Sequence, residues 1–129
     1  MKSKFSTAWK SSRQARKQRK YRANAPLHLR HKFLSANLSK ELRKRYNRRS
    51  FPLRMGDEVL VMRGQFKKKK GKINLIELKR TRVAIEGIQR QKKDGTKINV
   101  YFHPSKLQIH SLNLEDKERM AVLSRKQEK

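Results

Sequence analysis

Cysteine is absent from this chain. That excludes a disulfide framework, a thiolate zinc site and a cysteine nucleophile. Long apolar runs are missing too: none approaches the roughly 20 residues of a membrane span, so no membrane partner is expected. The basic N-terminus lacks the apolar core of a signal peptide, and export is not expected either. An amphipathic organelle transit peptide fits poorly, because the basic residues run straight on into the body of the protein. Acids are scarce, with 10 Asp and Glu against 37 Lys and Arg in 129 residues. Asp57, Glu58, Glu77, Glu86 and Asp94 are scattered among strands and turns without any nucleophile–base pattern. Neither an enzyme nor a cofactor is therefore expected.

What the chain has instead is uncompensated positive charge, +27 in formal terms. A free soluble protein would carry that charge as self-repulsion, whereas a polyphosphate surface cancels it on binding. Apolar residues make up 34% and aromatics 7%, too little for a conventional core over the whole length. One compact domain follows, with segments that order on a partner. The charge is unevenly spread: residues 1–50 carry +16, residues 51–110 carry +10 and residues 111–129 carry +1. All five glycines fall between Gly56 and Gly95, which marks the middle as the turn-rich, β-type part. The chain thus divides into a basic arm (1–25), two short helices (26–50), a small barrel (51–110) and a C-terminal helix or tail (111–129).

In the arm, Arg13, Arg16, Lys17, Arg19, Lys20 and Arg22 crowd the run SRQARKQRKYR. Phe5, Ala8, Trp9 and Tyr21 follow no helical or strand period, which predicts extended or coil structure. Such an arm can thread between RNA helices, with Trp9 and Tyr21 either stacking on bases or packing on the barrel. Asn24, with Pro26 in the opening turn, starts a first helix. Asn37 or Ser39 starts a second, SKELRKRYN, with Leu38, Leu42 and Tyr46 on one face and Lys40, Arg43, Lys44 and Arg45 opposite. His28 and His31 lie three residues apart and could share a metal. With no acid or cysteine near them, packing or RNA contact is the better reading.

The barrel begins at DEVLVMR, where Val59 and Val61 face one way and Leu60 and Met62 the other. A second strand runs through KINLIELK, whose apolar spacing of three and then two predicts a bulge. Val83 and Ile85 mark a third strand, GIQRQKK a fourth and KINVYF a fifth, the last two joined by the hairpin signal Asp94-Gly95. HPSKLQI closes the domain, with Pro104 at an edge or turn. Five or six short strands suit an SH3-like barrel, giving a mainly β fold. Beyond it, Asn113 can cap a C-terminal helix in which Met120 and Leu123 form a thin apolar edge, a surface helix or frayed tail.

Between the first two strands stand Phe66 and four consecutive lysines, Lys67, Lys68, Lys69 and Lys70. Adjacent ammonium groups repel one another, and Asp57, Glu58 and Glu77 are too few to neutralise them. A phosphate backbone supplies the countercharge. Gly64 and Gly71 should let the loop curl and approach nucleic acid closely. Arg63, Arg80 and Arg82, at strand ends and turns, suit bidentate phosphate contact. No helix-turn-helix, zinc-finger or zipper pattern appears, and a small barrel with basic extensions suits a large folded RNA better than a uniform duplex.

The stretch GDEVLVMRGQFKKKKGKINLIELKRTRVAIEG resembles the KOW motif, a strand–loop–strand unit of ribosomal proteins and transcription elongation factors. Together with NAPLHLR, LSKELRKRY, DGT and HPSKL, it makes residues 13 to 125 similar to one family. That family is the KOW-containing ribosomal protein of the large subunit, number twenty-four in bacterial and archaeal naming and twenty-six in eukaryotic naming. The helices before the barrel and the short tail resemble the archaeal–eukaryotic branch. The resemblance implies a non-enzymatic, cytoplasmic protein of the large ribosomal subunit. It implies binding to the 5′ domain of large-subunit rRNA, a part in early subunit assembly and a place beside the nascent-chain tunnel exit. Implied partners are the rRNA, neighbouring large-subunit proteins and nascent-chain-targeting factors, with no homo-oligomer. By motif, Arg63, Gln65, Phe66, Lys67 and Lys72 occupy the KOW loop, and NAPLHLR sets His28 and Arg30 on the RNA-facing side. Many family members have glycine where Lys68 stands, which predicts a less tightly turned loop here.

Two other readings fit parts of the chain. A KOW module of an elongation factor would bind RNA polymerase, and usually accompanies a second domain. A free architectural RNA-binding protein would share the charge profile.

Overall fold

In the computed structural model, residues 5–9 and 11–125 are described, and residues 1–4, 10 and 126–129 of the expected arm and tail lie outside them. Among the described residues, four α-helices accompany seven strands. The helices are α1 (Ala15–Asn24), α2 (Leu27–Phe33), α3 (Lys40–Tyr46) and α4 (Lys117–Ser124). The strands are β1 (Ser35–Leu38), β2 (Ser50–Pro52), β3 (Glu58–Val61), β4 (Lys70–Glu77), β5 (Arg82–Gln91), β6 (Lys97–Phe102) and β7 (Leu107–Ser111). They form one barrel-like sheet in the order β2-β1-β7-β3-β4-β5-β6. Only β1 with β7 pairs in parallel; the other pairs are antiparallel. The fold is mainly β with short helices, as the alternation in the central segment predicts.

Alternation decides what the sheet buries. Val59 and Val61 are fully enclosed, with Val83, Ile85, Leu107 and Ile109 packed around them, while Met62 stands largely in solvent. Register shifts between Ile73 and Leu75, and between Ala84 and Gln89, bend the sheet around this core. The first is the bulge that the spacing of Ile73, Ile76 and Leu78 predicts. The Asp94-Gly95 turn also forms as read: Lys92 N donates to Thr96 O at 2.9 Å, and Gly95 has φ +90°.

Four expectations need correction. The third and fourth strands are one strand, β5, because Gly87 at φ +76° bends the chain without breaking it. Residues 26–50 hold a strand besides two helices. In β1, Ala36 and Leu38 point into the core, and Leu38 N and Ser39 N donate to Arg49 O and Ile109 O at 3.0 and 2.9 Å. A four-residue strand carries too little periodicity to be seen in sequence; its partners create it. Leu38 therefore precedes α3, whose cap is Ser39, its hydroxyl accepting from Leu42 N. In the arm, Ala15–Asn24 is helical rather than coil, since Ala, Arg, Lys and Gln are all good helix formers.

The fourth correction concerns the C-terminus. Asp116 is the N-cap of α4, its carboxylate accepting from Glu118 N, while the Asn113 side chain accepts from Glu115 N just upstream. The helix is neither a loose surface element nor frayed. Arg119 is 3% exposed and meets Asp57, which is 0% exposed. Arg119 Nη1 and Nη2 donate to Asp57 Oδ1 and Oδ2 at 2.6 and 2.7 Å. Asp57 also accepts from Arg54 N and Asn113 N, both at 2.9 Å. Arg119 donates further to Asn113 O and Pro52 O, at 2.7 and 3.1 Å, and its guanidinium lies 5.3 Å from the Phe51 ring centroid.

Truncating Asp57 would strand a guanidinium inside the protein. Asp57→Ala should lower stability by about 3–5 kcal/mol. An apolar pair, Asp57→Leu with Arg119→Met, should cost less than either single change, as measured by urea denaturation. Gly71 has a separate constraint, because a Cβ there would lie 2.6 Å from Ile85 Cγ2 and 2.9 Å from Glu86 O. Gly71→Ala should destabilise by roughly 1–3 kcal/mol; an unchanged denaturation midpoint would show that β5 yields freely.

Candidate nucleic-acid interface

The lysine loop is a closed hairpin. Lys68 N donates to Val61 O at 2.8 Å, Val61 N to Lys69 O at 2.9 Å and Lys67 N to Gly64 O at 3.1 Å. Lys68 has φ +71°. It holds the left-handed conformation that glycine adopts without steric cost, so the loop is not loosened by the lysine, contrary to expectation. Gly64, at φ +95° with open space around it, makes the turn. Gly71 lacks a side chain because β5 crosses close to it, not to admit nucleic acid.

Lys67, Lys68, Lys69 and Lys70 are exposed and join no ion pair among the described residues. Arg63, Gln65 and Lys72 are exposed beside them, with Lys72 opposite Glu58 in the β3–β4 register. Phe66 is different. It is partly buried and meets Phe102 edge-on at 6.1 Å between centroids, with the Lys69 ammonium 5.3 Å from its own ring centroid. The tight hairpin turns its one aromatic toward the core and leaves the ring partly exposed.

A second cluster joins segments far apart in sequence. Arg19 and Arg22 of α1, Arg30 of α2 and Lys79, Arg80 and Arg82 of the β4–β5 turn line one groove of about 310 Å³, with His103 in its wall. No acid lines it. Glu77 reaches Arg80 at 3.4 Å, but the Arg80 side chain stays 74% exposed, so that pair neutralises little. Arg30 is held by donating from Nε to Ala25 O at 2.9 Å and from Nη2 to Ala23 O at 2.6 Å, which fixes the bend between α1 and α2.

Burial holds the His103 imidazole below its ordinary pKa, and the charges of Arg82, Arg22 and Lys106 add to the effect. The ring accepts from Ser105 N at Nδ1 over 3.3 Å, and the same nitrogen lies 2.8 Å from Ser105 Oγ. Sequence reasoning does not single out His103 or Lys79 as site residues. Both stand in segments that it does mark, the ELKR turn and HPSKL, but neither motif says that they face α1.

The other arm residues divide. Arg13, Arg16, Lys17 and Lys20 are exposed, as is His28. Trp9 and Tyr21 stack on each other at 4.4 Å, with Phe5 4.7 Å from Tyr21 and Phe33 6.0 Å from it. This small aromatic cluster ties the N-terminal segment to α1 and α2. Among the described residues no group of three or more His, Cys, Asp or Glu could hold a metal, so His28 and His31 are not part of such a set. No helix among them is long and apolar enough to cross a membrane.

Comparison with known proteins bears on this arrangement directly. Residues 12–126 match the family model that describes the eukaryotic L26 and archaeal L24 ribosomal proteins. The chain is 45% identical over 115 residues to the large ribosomal subunit protein uL24 of Methanosphaera stadtmanae, covering 89% of this chain and 98% of the relative. It is 48% identical over 110 residues to the uL24 of Korarchaeum cryptofilum, covering 85% and 84%. The uL24 of Methanothrix thermoacetophila is 45% identical over 114 residues, covering 88% and 98%. A basic barrel with so little internal countercharge is what a ribonucleoprotein component requires, and the chain belongs to the archaeal L24 and eukaryotic L26 ribosomal protein family, a structural, non-enzymatic constituent of the large ribosomal subunit in translation.

Proposed function

We propose that this chain binds large-subunit rRNA through two basic surfaces, the lysine hairpin between β3 and β4 and the groove between α1 and the β4–β5 turn. The observation that carries the reading is the groove, where five arginines and a lysine converge with no lining acid. Cations packed so closely destabilise a free protein, and release of condensed counterions from an RNA backbone makes the same arrangement favourable. The contacts fall to exposed side chains: Arg13, Arg16, Lys17 and Lys20 along the arm, His28 on α2, and Arg63, Lys67, Lys68, Lys69, Lys70 and Lys72 at the hairpin. Residues 1–25 act as the arm that follows the RNA away from the barrel. Binding within the 5′ domain, support of early subunit assembly and a position beside the tunnel exit rest on the family resemblance. So do contacts with targeting factors there.

Two measurements test this. Replacing Lys67–Lys70 with glutamines should weaken rRNA binding and flatten its salt dependence, each lost phosphate contact removing roughly 0.7–0.9 from the log–log slope. An unchanged slope would mean that the hairpin faces away from the RNA. Deleting residues 1–22 should leave the barrel folded by circular dichroism, since α1 buries none of its residues. The same deletion should reduce co-sedimentation with salt-washed large subunits; full incorporation would remove the arm from the interface.

A further inference from the structure

We infer that the groove between α1 and the β4–β5 turn is a phosphate-bridging site: phosphate groups of an RNA backbone, seated between Arg19 and Arg22 on one wall and Arg80 and Arg82 on the other, are what hold α1 against the barrel. The inference rests on the RNA-binding reading above and adds that the arm is latched by its ligand instead of merely decorated by it.

Three observations lead there. First, little protein-to-protein cohesion crosses the groove. Helix α1 buries none of its residues, and the Arg30 bond to Ala23 O and the contact of Tyr21 with Phe33 tie it to α2 and not to the β4–β5 turn across the groove. Second, repulsion across the groove is strong. Like charges from both walls meet in about 310 Å³ without a lining acid. Burial first, and then the charges of Arg82, Arg22 and Lys106, hold the pKa of His103 down in the wall of this groove. Third, the turn holds its arginines in an unfavourable backbone shape. Thr81, between them, has φ +55°, a left-handed conformation that a β-branched residue rarely adopts, and Thr81 N donates to Leu78 O at 3.2 Å. Such outliers gather where a site is pre-shaped for a ligand.

The geometry also favours phosphodiester over a lone anion. Guanidinium forks on two walls can each take a pair of phosphate oxygens. His103 adds a polar ring to the wall. Successive phosphates of one strand can engage both walls together, so the second contact forms at high effective concentration.

Because the chain has no cysteine, a spin-label pair can be placed without removing any native thiol. Labels at Ala15→Cys on α1 and Asn74→Cys on β4, both exposed positions, report the distance between the helix and the sheet. In phosphate-free buffer the distance distribution should be broad, and titration with a short single-stranded RNA should narrow it to one peak. Inorganic pyrophosphate should narrow it only at a concentration tenfold or more higher. Arg80→Gln with Arg82→Gln should raise the RNA midpoint by tenfold or more, whereas Lys92→Gln with Lys93→Gln, an equal charge loss on the exposed β5–β6 hairpin, should not. A narrow distribution before any phosphate is added overturns the latch, as does a distribution that stays broad while RNA demonstrably binds. Failure of RNA to bind at all would instead overturn the functional reading on which the latch rests. Narrowing by pyrophosphate alone would overturn the RNA backbone as the occupant.

Discussion

The buried pair of Asp57 and Arg119 is the interaction on which the rest of the fold leans. The carboxylate sits just before β3 and collects four donors; the guanidinium comes from α4 and also donates from Nη1 and Nη2 to the carbonyls of Asn113 and Pro52. One contact therefore joins the start of the barrel, the end of β2 and the C-terminal helix. In a chain so rich in cations, an acid that is fully enclosed and paired cannot be exchanged for a looser arrangement at small cost. Its neighbours confirm the tightness: Arg119 lies against Phe51, and a Cβ on Gly56 would come 2.8 Å from Asn113 Nδ2.

That pair also separates two electrostatic regimes. Around α4 acids and bases nearly balance, with Arg54 paired to Asp116 as well as Arg119 to Asp57. Across the hairpin and along α1 they do not. The barrel can tolerate this because its core of Val, Ile and Leu is independent of the surface charge, while α1, having no core of its own, cannot ignore it. The charge is thus nearly balanced on one side of the molecule and uncompensated on the other.

Much of the central sheet was legible. Alternation of Val59 and Val61, the bulge after Ile73 and the Asp94-Gly95 hairpin each have a local cause, and local causes survive folding. The strand β1 was not legible, because Ser35–Leu38 becomes a strand only when β2 and β7 supply partners on both sides. The packing of Phe66 was not legible for a related reason. An aromatic beside four lysines looks like a stacking platform, yet whether its ring faces RNA or Phe102 depends on how far the hairpin curls. The aromatic residues of the arm, too, found one another.

The amino-acid order alone determined the excess of positive charge, since 37 basic residues against 10 acidic ones cannot be cancelled internally wherever they are placed. It determined the family and the lysine hairpin as well, both being contiguous in the chain. Only the tertiary structure decided that Arg19 and Arg22 would face Arg80 and Arg82, and that Arg119 would be buried against Asp57. Those pairings join residues some sixty positions apart, and no local spacing encodes a contact that the sheet's curvature creates.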